Sequence, residues 1–503
     1  MALPNVFEIA GLRVDFSRQH LSEQALGQAT AALQRQGLDN ARVGLLSGAT
    51  INTTEKRAAW HTVLRLPASQ QPVGVAADLL EAKTLAQAMI NGSQLLPGAK
   101  PIKHIIVLGI GGSLLGPQVL SHALGPQQSH FDMHFIGNID GHVLSDVFAR
   151  CEPSQTLCIL ISKSFTTLET QMNAQACLAW LHENGVRDGK QHFVAITANR
   201  AAASAWGARV EWTLGFEDWV GGRYSVWSAV SFPVMLSCGV EAMDAVRAGA
   251  YEVDQHFLNA PSLANVPVLM ACAELAALKR GEGSRCVAAY DERLSKLPDY
   301  LQQLEMESLG KRVQHNGSPA DAAGPLVWGT VGTTGQHSVF QWLHQGLQRT
   351  PIDFIVCAKP DHVFTALHRG MLANCLAQAQ ALDEGRDEAA TTAALSAQGL
   401  PVSEVERLSP HMTFEGGRRS SMIMFERLNP HSVGALLALY EHKVFVLSVA
   451  FGSNAFDQYG VELGKIAAKR IESALLAQGD ADHGSGIDQS TKAQLLWLKN
   501  LSH

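Results

Sequence analysis

The sequence predicts an α/β protein whose parallel sheets fall into two similar units, and three observations point there. From about residue 103, short apolar runs alternate with helical stretches, the pattern of strand–helix–strand units that makes neighbouring strands parallel. The rhythm returns in the second half, without a direct sequence repeat. Two apolar runs in the first half end in glycine or hydroxyl clusters that lead into helices, where open α/β sheets normally bind ligands. The 503 residues leave room for two to four domains, at roughly 100–200 residues each.

Taken in order, residues 20–36 and 55–66 carry apolar positions at helical spacing and define a helical N-terminal arm over residues 1–66. A third helical run, 75–91, follows Pro72 and opens a first α/β domain over 67–240. Its predicted strands are His104–Ile110, Phe131–Ile136, Leu157–Ser162 and His192–Thr197, with a helix over Leu168–Asn184. A second α/β domain over 241–470 has strands at Ser284–Tyr290, Pro325–Gly329, Asp353–Ala358 and Val444–Phe451. The Ala/Gln/Glu-rich stretch 376–398 reads as a solvated helical hairpin. The tail, 471–503, is polar until Gln494–Leu501, which can dock as a helix.

Composition narrows the function. With 46% hydrophobic and 17% charged residues, extensive disorder is excluded. The net charge of −7 comes without any basic block, so nucleic acid is not expected as a partner, and a small anionic substrate must be met by a few placed donors. The eight cysteines form no Cys-x-x-Cys pattern and sit mostly in apolar stretches, as buried thiols in a reducing compartment do; no metal site is expected from them. The N-terminus lacks a basic start followed by an apolar core. No segment is read as the ~20 apolar residues of a membrane span. A cytoplasmic protein with no membrane partner is expected.

Two loops suit an anion. In Val107-Leu-Gly-Ile-Gly-Gly-Ser-Leu-Leu-Gly116 a strand runs through glycines into a helix, so the backbone N–H groups at Gly112 and Ser113 can approach a phosphate or sugar. Leu114 stands where the dinucleotide fingerprint needs glycine, which argues against a nicotinamide dehydrogenase. A plain tight turn is the alternative. In Leu160-Ile-Ser-Lys-Ser-Phe-Thr-Thr-Leu-Glu169, the hydroxyls of Ser162, Ser164, Thr166 and Thr167 and the Lys163 ammonium precede a helix. That density of donors suits a dianionic phosphate. A helix cap explains one or two hydroxyls, not four with a lysine.

Four further segments carry candidate chemistry: Asp218-Trp-Val-Gly-Gly-Arg-Tyr-Ser-Val-Trp-Ser228, Gln303-Leu-Glu-Met-Glu-Ser-Leu-Gly-Lys311, Gly332-Thr-Thr-Gly-Gln-His-Ser338 and Phe456-Asp-Gln-Tyr-Gly-Val-Glu-Leu-Gly-Lys465. Together with the two loops, in this order from Asn52-Thr-Thr-Glu-x-Arg-Ala to about Lys469, they resemble the phosphoglucose isomerase family. The resemblance implies two sugar-isomerase (SIS-type) α/β domains with helical extensions at both ends. It implies a homodimer with sites shared between subunits, no cofactor or metal, and interconversion of glucose 6-phosphate and fructose 6-phosphate in glycolysis and gluconeogenesis. Aldose–ketose isomerisation needs a base beside C1 and C2, cationic donors near the enediolate oxygens, and help in opening the pyranose ring.

By this resemblance Glu307 is the shuttling base, with Gln303, four residues earlier on the same helix face, beside the phosphate. Glu305 points elsewhere and serves as the control. Arg223 stabilises the enediolate, and a salt bridge to a nearby Asp is its structural alternative. His337 and Lys465 assist ring opening, and Gln458 touches the phosphate. Spaced seven apart, Gln458 and Lys465 would face one way on a helix, and for Lys465 the plain alternative is an i, i+3 pair with Glu462. The chain departs from the family at Leu309, where Asn is usual, at Ser164, where Thr is commoner, and at Glu415-Gly-Gly-Arg-Arg-Ser-Ser421. A sugar-phosphate sensor on the same fold, which need not keep Glu307, Arg223 or Lys465, and an isomerase for a related hexose phosphate are the competing readings.

Overall fold

The computed structural model describes residues 5–125, 129–477 and 486–501. The chain divides into two compact units, Met1–Phe456 and Asp457–His503. Among the described residues the first holds eleven strands: β1 Val6–Ile9, β2 Leu12–Asp15, β3 His104–Leu108, β4 Asp132–Ile136, β5 Thr156–Ile161, β6 Phe193–Thr197, β7 Thr213–Gly215, β8 Ser284–Tyr290, β9 Leu326–Val331, β10 Ile352–Cys357 and β11 Ser420–Phe425. One sheet has the order β4-β3-β5-β6-β7 and is parallel throughout. The other has the order β1-β2-β11-β10-β8-β9, parallel from β11 to β9. Every residue of β5, β6 and β10 is buried, as continuous apolar strands covered on both faces must be.

Three expectations need correction. The N-terminal arm is not helical throughout: β1 and β2 form a hairpin that adds antiparallel to β11. Its turn, Ala10-Gly11, puts both residues at positive φ, 47° and 76°. That suits a two-residue hairpin turn, but Ala lacks the usual Asn or Asp signal. The run 55–66 forms only a short 3₁₀ turn, His61–Arg65, with all five residues buried. Apolar spacing over 55–66 marks burial here and not a helical face, since the whole turn is enclosed.

The third correction is Val444–Phe451, predicted as a strand, which is the end of a 22-residue helix, Pro430–Phe451. A short apolar run cannot be told from a buried helix by periodicity. That helix is also long and apolar enough to cross a membrane, which no segment was expected to be; yet 89% of its apolar window is buried inside the fold. It crosses Val240–Asn259 so closely that a Cβ on Gly434 would lie 1.9 Å from the Val246 carbonyl oxygen, and one on Gly249 would lie 1.9 Å from that of His431.

In the second unit, helix Glu462–Leu476 is followed by helix Gln489–Leu501, which covers the predicted Gln494–Leu501. The stretch 376–398 lies in two helices, Thr365–Glu384 and Glu388–Ala397.

Candidate active site

The glycine loop leaves β3 into helix Gly112–Leu124, whose start has no side-chain cap. Gly111 has φ +56°, and a Cβ there would lie 2.8 Å from Gln303 Nε2. A Cβ on Gly112 would lie 2.1 Å from the Gly222 carbonyl oxygen and 2.5 Å from Arg223 N. These two glycines therefore let the loop close against Gln303 and Arg223 at once. The Ser225 hydroxyl donates to the Gly112 carbonyl at 3.3 Å and ties the same two segments together. Ser113 lies in the first turn of the helix, half-buried.

The second loop leaves β5. Ser162 and Thr167 join their hydroxyls at 3.1 Å, and Ser164 and Thr166 at 2.8 Å. Thr167 precedes helix Leu168–Glu183 but makes no side-chain cap. The simple cap reading therefore fails for Thr167. Phe165 turns the loop at φ +59° with its ring buried. Lys163 is half-buried and donates to the Val220 carbonyl at 2.9 Å. Burial first, and then the Arg57 charge, push its ammonium down to about 8.

Arg223 is buried in the 3₁₀ turn Gly222–Trp227. Its Nε donates to Ser308 Oγ at 2.7 Å, its Nη2 to the Ala455 carbonyl at 2.5 Å, and its Nη1 lies 3.3 Å from Glu307 Oε2. The Tyr224 hydroxyl also meets Ser308 Oγ, at 3.1 Å. The acid beside it is Glu307 and not the Asp of the salt-bridge alternative, so the ion pair lies inside the candidate site. Glu307 keeps about a quarter of its side chain exposed, at 24%, so its carboxylate is held on one side and open on the other.

Gln303 to Glu307 form one π turn rather than ordinary helix. Such turns are often found at functional sites. Glu305, in the same turn, is wholly buried and paired with Arg285 and with Lys443, the latter at 3.2 Å. It points elsewhere, as expected, but it is not the neutral control a surface residue would be. Leu309 is buried with Gly324 packed on it, so this departure from the family is filled by core packing.

His337 closes the short helix Gly332–Gln336 and is exposed. Among the described residues no hydrogen bond or ion pair holds its ring. A cavity of about 660 Å³ opens at the ends of β8, β9 and β10 beside Thr333 and Thr334, and none of the predicted catalytic side chains lines it. In the second unit, Lys465 Nζ lies 3.0 Å from Glu462 Oε1, both exposed: the plain i, i+3 pair. Gln458 lies outside helix Glu462–Leu476, with φ −156° and ψ 61°, so the expected two-turn spacing does not apply.

Sequence reasoning missed Ser308, Tyr224 and the Ala455 carbonyl. Ser308 had a signal, its place directly after Glu307. Nothing in the sequence marks a backbone carbonyl more than 200 residues from its guanidinium partner.

These arrangements agree with the chain's likeness to known proteins. The profile of the family described as phosphoglucose isomerase matches residues 15–495. A glucose-6-phosphate isomerase of Bordetella pertussis is 43% identical over 500 residues, 99% of this chain and 94% of that protein. One from a Jannaschia species is 41% identical, over 96% of this chain and 91% of its own. The crystal structure of a glucose-6-phosphate isomerase from Chlamydia trachomatis superimposes with a TM-score of 0.82 at 27% identity, over 99% of this chain and 93% of that one. Ordered motifs, two mainly parallel sheets with glycines closing on an arginine, and likeness over nearly the whole length lead to one conclusion: this chain belongs to the phosphoglucose isomerase family.

Proposed function

We propose that this phosphoglucose isomerase interconverts glucose 6-phosphate and fructose 6-phosphate through an enediolate, with Glu307 as the base that moves the proton between C2 and C1. The observation that carries this reading is the Glu307–Arg223 pair at 3.3 Å, with the guanidinium fixed by Ser308 and Ala455. An arginine fixed before substrate arrives stabilises developing negative charge without reorganising. The two loops supply the phosphate end: the amides of Gly112 and Ser113, the hydroxyls of Ser162, Ser164 and Thr167, Lys163, and Gln303 beside them. Gln458 adds a phosphate contact and Lys465 a ring-opening proton. His337, exposed and unheld among the described residues, serves ring opening in the site of a second copy. The working form is then a homodimer, metal-independent and cytoplasmic; eight free, buried cysteines suit a reducing compartment. The two proposed α/β domains are 67–240, which carries β3 to β7, and 241–470, which carries β8 to β11, while β1 and β2 join the second sheet from the N-terminal arm.

The test is Glu307→Gln. Turnover should fall about 10²–10⁴-fold, the usual worth of a positioned base. Affinity for 6-phosphogluconate, which has the phosphate but cannot isomerise, should stay within about twofold, because the loops are untouched. Equal loss of affinity and turnover would show that Glu307 shapes the pocket and does not move the proton.

A further inference from the structure

His104, His134 and Cys151 lie far apart in sequence, yet their ligand atoms all fall within 4.8 Å of one another. Topology brings them together. His104 opens β3, and His134 on β4 stands opposite Ile106, so both imidazoles project from the same face of neighbouring strands. Helix Gly141–Phe148 packs over that face through Leu144 and Val147, and the chain leaving it delivers Cys151. The place is the N-terminal end of β3, whereas the glycine loop lies beyond its C-terminal end. Five strand residues at roughly 3.3 Å each separate the two.

A second observation is independent of the clustering. His104 Nδ1 and His134 Nε2 are buried and have no hydrogen-bond partner, although His104 Nδ1 lies 3.2 Å from an oxygen of Asp132. Buried polar atoms are normally satisfied, and one orphaned imidazole nitrogen, with a second met only by a carboxylate outside hydrogen-bond geometry, beside a thiol calls for an explanation. The His104 side chain is 12% exposed and that of Asp132 73%, so solvent reaches the cluster past Asp132.

We propose that His104, His134 and Cys151 bind one zinc-class transition-metal ion, with solvent, which enters past Asp132, in the fourth position. Two imidazoles, a thiolate and a water are donors tetrahedral zinc accepts. Ligand atoms around such an ion are separated by roughly 3.5 Å, so ring rotations of about an ångström close the site. Burial, with Asp132 and Cys177 nearby, pushes the Cys151 thiol up to about 11. A bound cation reverses that balance: the sulfur–metal bond forms as the thiol proton leaves to solvent. The ion would tie β3, β4 and the end of helix Gly141–Phe148 together, away from the catalytic groups.

The experiment uses the untagged full chain titrated with Co(II) and Zn(II). The proposal predicts one Co(II) per chain with an intense near-ultraviolet thiolate-to-cobalt band, bleached by Zn(II). Cys151→Ser should abolish the band, and His134→Gln should weaken metal binding at least tenfold, while both variants keep isomerase activity as evidence of folding. No thiolate band in the wild-type chain would overturn the proposal. So would a band that survives Cys151→Ser, since Cys158 or Cys177 would then be the ligand.

Discussion

Glu305 and Glu307 stand two residues apart in one π turn, and their surroundings separate them completely. Glu307 is about a quarter exposed beside Arg223, while Glu305 is sealed with Arg285 and Lys443, which also hold Glu274 and Asp353. Truncating one member of a buried charge cluster leaves its partners uncompensated, so Glu305→Ala should lose about 3–5 kcal/mol of stability in denaturant titration. Glu307→Gln should unfold within about 0.5 kcal/mol of wild type. Lys163 offers a pH test. Its ammonium is held near 8, so it is charged below that pH and neutral above it. KM for the hexose phosphate should therefore rise as pH passes through about 8, and Lys163→Arg should flatten that rise. A KM that stays flat in the wild-type enzyme would remove Lys163 from the phosphate site. At this scale Arg223, Glu307 and the hydroxyl loop were legible because motif spacing marks them. The burial of Glu305 was not, because its partners Arg285 and Lys443 come from distant strands and helices.

At the scale of elements, strands that run straight into glycines or hydroxyls were read almost to the residue, β3 and β5 among them. What failed were elements whose identity depends on tertiary surroundings. Val444–Phe451 is apolar all round because helix Pro430–Phe451 is enclosed on every side, so its period carries no face. The β1–β2 hairpin is too short and its Ala10-Gly11 turn too plain to announce itself. The close crossing at Gly249 and Gly434 is invisible in sequence but exact in consequence. Gly434→Ala would drive a methyl against the backbone at Val246, which cannot swing aside as a side chain can. Thermal and denaturant unfolding should show a loss of about 1–3 kcal/mol, the usual penalty of overpacking. Gly112→Ala makes the complementary case: its methyl meets the Gly222–Arg223 backbone. It should displace the guanidinium and lower turnover about 10²-fold, the effect of roughly an ångström of misplacement.

For the whole molecule, the fold class was legible because alternating strands and helices leave few topologies open. The proposed second copy rests on resemblance alone: His337 is exposed and, among the described residues, its ring has no hydrogen bond or ion pair, which does not say what it meets. The central claim is that Glu307 catalyses proton transfer in a site completed by His337 of another chain. It is tested most directly by mixing Glu307→Gln and His337→Ala chains under conditions that exchange subunits. In a mixed dimer one site takes both defects, and the other joins an intact Glu307 to an intact His337. Random exchange makes about half the dimers mixed, so activity should climb to about a quarter of wild type, well above either parent. If both residues serve the same chain's site, every site in the mixture carries a defect, and activity that stays at the parental average after verified exchange would contradict the account.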